Sequence, residues 1–197
     1  MSKENYKFRC RASALGKIMG VRGLGKTGQG YVEEWLKEQI YGVRKEFTSK
    51  YTDKGNANED IAIDMAATAI NEPMLLKNDE WFENDYIHGT PDVVLPKMII
   101  DVKCSWDAFS FPLFQKDLPN KDYYWQLQAY MWLTGKTKGK VIYCLTETDH
   151  DNPQYKGVPN DKKIKAFDVA YDEAAIEKIK ERVNECNEYL KQLTNGN

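Results

Sequence analysis

The chain has 197 residues, 42% of them hydrophobic and 29% charged, a balance that fits one globular domain and sets aside disordered, collagen-like and membrane classes. No apolar run approaches the roughly 20 residues of a membrane helix, and the opening MSKENYKFRC lacks the apolar stretch of a signal peptide, so the expected compartment is cytoplasmic. The formal net charge of −2 decides nothing about nucleic acid, because a sum over the surface hides a local basic site beside an acidic one.

Taken in chain order, Ser13 followed by Ala14, Leu15, Ile18 and Met19 predicts a short capped helix ended by Gly20, Gly23 and Gly25. Tyr31, Val32, Trp35, Leu36, Gln39 and Ile40 recur at helical spacing up to Gly42, and a further helix is expected from about Asn58 to Ala69. The texture then changes. Stretches 81–82, 86–95 and 98–104 are rich in β-branched and aromatic residues and read as strands. Tyr123, Leu127, Tyr130, Met131 and Thr134 predict a helix stopping at Gly135, followed by strands over 141–145 and 164–169 and a long helix over 172–193. The sum is a mixed α/β fold, a central mixed β-sheet flanked by helices. It is read as a single domain in which a helical region over residues 1–72 precedes a sheet core over 80–170 and the closing helix. Cys10, Cys104, Cys144 and Cys186 contain no C-x-x-C pair and are expected as free thiols.

The chemistry concentrates in His88-Gly-Thr-Pro-Asp92 and Asp101-Val-Lys103. If Leu95 and Met98 face each other across Pro96-Lys97, antiparallel register sets Asp92 opposite Asp101, and alternation places Ile99, Asp101 and Lys103 on one face, with Ile100, Val102 and Cys104 toward the core. Directly opposed carboxylates destabilise a strand pair, and a divalent cation is the compensation that suits oxygen ligands. Asp-x-Lys by itself is a short motif, usually a solvated surface hairpin.

In its ordered motifs the chain resembles the lambda-exonuclease and YqaJ-type viral recombinase family of the PD-(D/E)XK nuclease superfamily. Pro91-Asp92 followed by Asp101-x-Lys103 resembles the superfamily core, and Gly55-Asn-Ala-Asn-Glu59 resembles the segment supplying a first acidic ligand. Tyr124-Trp-Gln126-Leu-Gln-Ala-Tyr130 resembles the family's glutamine helix, and Arg11-Ala-Ser13 its terminal-phosphate segment. The resemblance implies a restriction-endonuclease-like core and a metal-dependent deoxyribonuclease degrading double-stranded ends from 5′ to 3′ in phage-type recombination. Glu59, Asp92, Asp101 and the Val102 carbonyl would hold Mg²⁺, or Mn²⁺ in its place. Lys103 would be the catalytic amine and Gln126 a positioning group, while Ser13, Thr90 and Arg11 or Arg9 would receive phosphate. It further implies double-stranded DNA ends as substrate, a single-strand annealing protein as partner and a homo-oligomeric ring. No iron–sulfur cluster is expected, since Cys186 alone lies toward the carboxyl end. The chain departs from the family in having Asp before x-Lys, where Glu is commoner, and Thr-Pro-Asp-Val in place of Ser-Pro-Asp-Gly.

Other readings stay open beside it: an endonuclease or RecB-like module of the same superfamily, or a DNA-binding module without catalysis. Gly20-Val-Arg-Gly-Leu-Gly25-Lys26-Thr27 also fits the phosphate loop of P-loop NTPases. That loop must follow a strand and open directly into a helix, whereas here a helix-like segment precedes it and Gly28-Gln-Gly30 is expected to interrupt the next one. Lys26 and Arg22 are read instead as a basic loop near DNA phosphates. Trp106 to Phe114 carries aromatics able to stack on a base or to pack in the core.

Overall fold

The computed structural model describes residues 6–45, 50–147 and 154–195. Its larger sheet grows from the β-branched run 98–104. β5 (Ile99–Cys104) pairs antiparallel with β4 (Val93–Val94) on one side and parallel with β6 (Lys138–Cys144) on the other, and β7 (Ile164–Ala170) completes the order β4-β5-β6-β7. A second sheet, β1-β3-β2, is built from β1 (Cys10–Arg11), β2 (Phe82–Glu83) and β3 (Ile87–Gly89), with β1 parallel and β2 antiparallel to β3. The mixed α/β architecture is the expected one. The expected continuous strand 86–95, however, is broken at Thr90-Pro91-Asp92, because proline cannot donate to a ladder and bends the chain from one sheet into the other.

The predicted register is present. Val93 pairs with Ile100 and Val94 with Ile99, and Leu95 N–H reaches Met98 carbonyl oxygen at 2.9 Å across Pro96-Lys97. Lys136 Nζ donates to the Pro96 carbonyl at 3.1 Å and satisfies the tip of the turn.

Helices cover both faces of the larger sheet. α3 (Lys50–Ala69) lays Ala62, Ile63 and Ala66 on Ile100, Ile142 and Cys144. On the opposite face α4 (Lys121–Thr134) and α5 (Glu173–Asn195) join Leu127, Met131, Ile176 and Ile179 to Ile99, Val141 and Tyr143. The expectation that only the Ile100 face is core is therefore corrected. Ile99 and Asp101 are as fully buried as Ile100, because α4 closes over them.

Local punctuation follows the sequence at α4, where Asn120 accepts from the Asp122 N–H and Gly135 ends the helix at φ 69°. The first helical segment differs: Ala12–Ala14 is a 3₁₀ turn leading into α1 (Leu15–Ile18), and Ser13 caps nothing. α2 (Gly25–Tyr41) runs straight through Gly28 and Gly30, so those glycines do not interrupt it. α3 begins eight residues before the expected Asn58, which leaves Glu59 in mid-helix and not in its first turn.

Two polar ties lock the pieces together. The buried Lys54 of α3 donates to the carbonyls of Ser105 (2.9 Å), Trp106 (2.8 Å) and Thr146 (2.8 Å), just beyond the ends of the parallel strands β5 and β6. Asn187 of α5 accepts from the Phe8 N–H at 2.9 Å and donates to the Phe8 carbonyl at 3.1 Å, serving as a strand partner for the segment entering β1. All four cysteines are free thiols. Among the described residues no helix is long and apolar enough to cross a membrane.

Candidate active site

The site lies where β4 ends beside β5. Beyond Ile100 no ladder partner remains on that edge, and the Asp92 carboxylate takes the partner's place: its Oδ2 accepts the Val102 N–H at 2.7 Å. In an extended strand a residue's N–H and C=O point to the same side, so the Val102 carbonyl faces this open edge as well.

Asp101 is fully buried. Its Oδ1 accepts from Gln126 Nε2 at 3.0 Å, and the same nitrogen lies 3.2 Å from Tyr130 Oη. Both partners come from α4, and Gly89 lets them approach: a Cβ there would stand 2.9 Å from the Tyr130 ring. Asp101 Oδ2 faces Lys103 Nζ at 2.8 Å without an aligned hydrogen bond. The Lys103 ammonium is also 4.6 Å from the centre of the Tyr123 ring, which screens it from water.

The electrostatics follow from burial. Desolvation, then the Asp101 charge, pushes Asp92 up to about 7 against the opposing pull of Lys103 and the Val102 N–H. Burial also raises Asp101, with Lys103 opposing it. For Lys103 burial works toward the neutral amine, but the attraction of Asp101 and Asp92 outweighs it and holds the pKa above that of an ordinary lysine. Two carboxylates that resist ionising together, one carrying an oxygen without an aligned donor, are a donor set that a hard cation fits.

Glu59 stands at the margin of this pair. Its Oε2 is ion-paired with Lys77 Nζ at 2.6 Å, and its charge adds to the upward push on Asp92. Among the described residues no three acidic, histidine or cysteine side chains already form a metal cluster. Asp92, Asp101 and the Val102 carbonyl are in place, whereas Glu59 would have to leave Lys77 to join them.

Of the other predicted residues, Thr90 sits at the bend before Asp92, and Arg11 lies opposite His88 across β1 and β3. Arg11 is held by Glu38 at 3.3 Å and Arg9 by Glu83 at 3.1 Å. Ser13 is exposed on the 3₁₀ turn. Lys26 is exposed in the first turn of α2, where with Lys17, Arg22 and Thr27 it lines a cleft of about 280 Å³ that contains none of the carboxylates. The segment preceding α2 is a helix and not a strand, which sets the glycine loop apart from an NTPase phosphate loop, although the loop does open directly into its helix.

Several contributors escaped the sequence. Asn78 donates its backbone N–H to the Asp92 carbonyl at 2.8 Å and its side-chain amide to the Pro91 carbonyl at 3.0 Å, bracing the bend that carries Asp92. Lys77 beside it carried no signal. Lys54 did carry one, since Lys54, Asn58, Ala62 and Ala66 form one i, i+4 stripe, and a lysine in the apolar phase of a helix is a buried lysine.

No family model and no curated protein matches the chain. Among solved structures, a phage-related exonuclease from Haemophilus somnus 129PT is similar to it with a TM-score of 0.84 at 29% identity, over 98% of either chain. An alkaline exonuclease from Laribacter hongkongensis, LHK-Exo, shares the fold with a TM-score of 0.71 at 19% identity, over 93% of this chain and 92% of its own. The complex of LHK-Exo with dAMP gives 0.69 at 20% identity over the same shares. The resemblance read from ordered motifs thus extends over the whole fold.

Proposed function

We propose that the chain is a metal-dependent deoxyribonuclease, a 5′ to 3′ exonuclease acting on double-stranded DNA ends in phage-type recombination. The observation that carries this reading is the contact of Asp92, Val102, Lys103 and Gln126 in one cluster around the buried Asp101 at an open strand edge. Whole-chain likeness to a phage-related exonuclease supports it.

In this reading Asp92, Asp101, Glu59 and the Val102 carbonyl hold Mg²⁺ or Mn²⁺, which when bound supplies charge stabilisation at the scissile phosphate. Gln126 fixes one Asp101 oxygen and leaves the other turned to the site. Lys103 keeps a proton on Nζ beside that oxygen, placing a donor where a nucleophilic water and the phosphate oxygens gather. The water gives up a proton to solvent as its oxygen bonds to phosphorus, the bond to the leaving oxygen breaks, and the leaving oxygen takes a proton from solvent. Arg11, Arg9, Ser13 and Thr90 are the donors for a terminal phosphate, and Lys26 contacts backbone phosphate. A single-strand annealing partner and a ring-shaped oligomer belong to the same proposal.

Cleavage of linear, nicked and closed circular duplex DNA, with Mg²⁺ or with EDTA and without any nucleotide, tests it. Linear DNA is expected to be degraded in Mg²⁺ alone and closed circles to survive. Rapid cutting of circles would favour an endonuclease instead.

A further inference from the structure

The small sheet has one face in the core and the other partly open to solvent. Cys10 and Ile87 are wholly buried, and Gly89 packs on Tyr130 and Ala12. By alternation the residues between them point outward. Arg11, His88 and Glu83 form one row across the sheet, because Arg11 pairs with His88 and His88 with Glu83. Trp81 and Arg9 flank that row at matching parity, and Thr90 continues it toward the Pro91-Asp92 bend.

On this outer face the Trp81 indole stacks on the His88 ring, with centroids 4.7 Å apart and planes inclined by 25°. Trp81 Nε1 donates to Glu83 Oε2 at 3.2 Å, which fixes the orientation of the ring. A side chain serving only to cover His88 would bury itself; Trp81 keeps 55% of its surface in water. Arg9 leans on the same Glu83 carboxylate, and the Arg11 and Arg44 charges both reach His88. Aromatic rings and arginines alternating on an open strand face match unpaired nucleotides: bases stack on the rings and phosphates displace the carboxylates from the guanidiniums. Duplex DNA does not fit in that manner, since its bases already stack on one another. The surface is rigidly joined to the acidic pair, because Asn78, three residues before Trp81, is bonded to both Pro91 and Asp92.

We propose that Trp81, stacked on His88 and flanked by Arg9 and Arg11, is a platform for an unpaired nucleotide of the DNA strand adjoining the scissile phosphate. This deepens the nuclease reading and rests on it for the identity of the ligand.

The test is binding of a short single-stranded oligodeoxynucleotide carrying 2-aminopurine to the full chain in EDTA, where no cleavage occurs. Fluorescence of the base should be quenched on binding. Trp81→Ala should weaken binding roughly 10-fold, as loss of one base–aromatic stack does. Trp81→Phe should retain most of the affinity. Trp81→Leu, which still covers His88, should behave like Trp81→Ala. In cleavage assays Trp81→Ala should raise KM and leave kcat largely intact, since stacking is present in ground and transition states alike. Wild-type affinity and KM in a folded Trp81→Ala protein would overturn the platform while leaving the nuclease reading standing. Binding that depends on Trp81 in a chain that cuts no DNA with any divalent metal would support the platform and sink the nuclease reading.

Discussion

Val102 donates its backbone N–H to the carboxylate of Asp92 at 2.7 Å, so the residue between the second acid and the lysine is the one that holds the first acid in place. A motif of three separate side chains is in this way one piece of backbone. Any change in β5 that shifts Val102 moves Asp92 as well.

Removing any member of the cluster should therefore disable the whole. Asp92→Ala, Asp101→Ala, Lys103→Ala and Glu59→Ala should each lower the cleavage rate on the order of 10³-fold or more, and double changes should cost little beyond the single ones. Calorimetric titration with Mn²⁺ should separate the roles, with the carboxylate variants losing affinity and Lys103→Ala largely keeping it. Appreciable cleavage by Asp101→Ala would remove it from the catalytic set.

The raised carboxylates carry a stability signature in metal-free protein. Asp92 titrates near 3.8 when unfolded and near 7 when folded, and Asp101 shifts the same way. Between those values the folded state binds more protons than the unfolded one, so its stability is full below about pH 4 and is lost as pH rises through 7. The slope should approach roughly 1.4 kcal/mol per pH unit for each group at its steepest. Denaturant melts in EDTA at several pH values measure it, and Asp92→Asn should flatten the curve. Added Mg²⁺ should restore stability above pH 7 in the wild type more than in Asp92→Asn.

The terminal-phosphate donors predict a preference between DNA ends. A 5′-phosphorylated duplex should be degraded roughly 10-fold faster than its 5′-hydroxyl counterpart, because unpaired donors and a cation cost about 1–3 kcal/mol. Arg11→Ala should erase much of that difference without altering metal binding, and equal rates on both ends in the wild type would refute the pocket.

Lys54 should behave as a clamp. Lys54→Met leaves the carbonyls of Ser105, Trp106 and Thr146 without this donor and should cost about 2–4 kcal/mol in a denaturant melt. A loss under about 0.5 kcal/mol would mean that water replaces the ammonium at no penalty.

The register of Asp92 against Asp101 was legible in the sequence because period-two alternation and one tight turn determine parity, even with Pro96-Lys97 a poor turn pair by composition. Gln126 was legible only through the resemblance carried by α4, since periodicity alone leaves a glutamine at that position free to face water. The second sheet was not, because β1 and β2 are two residues each and their pairing is wholly non-local. Nor was the start of α3: Gly55 and Asp53 weaken the local helix signal, and Lys54's bonds to three distant carbonyls override it. Lys77 and Asn78 act through contacts with Glu59, Pro91 and Asp92 that no periodicity announces.

The two hydrogen bonds between Asn187 and Phe8 also join residues 179 positions apart in the chain. The segment entering β1, which bears Arg9 and Arg11, completes its edge with an amide from α5, so the small sheet reaches its final form only with that helix docked. Loss of the Asn187 amide is thus transmitted to the arginine-bearing strand with no residue of the acidic pair touched.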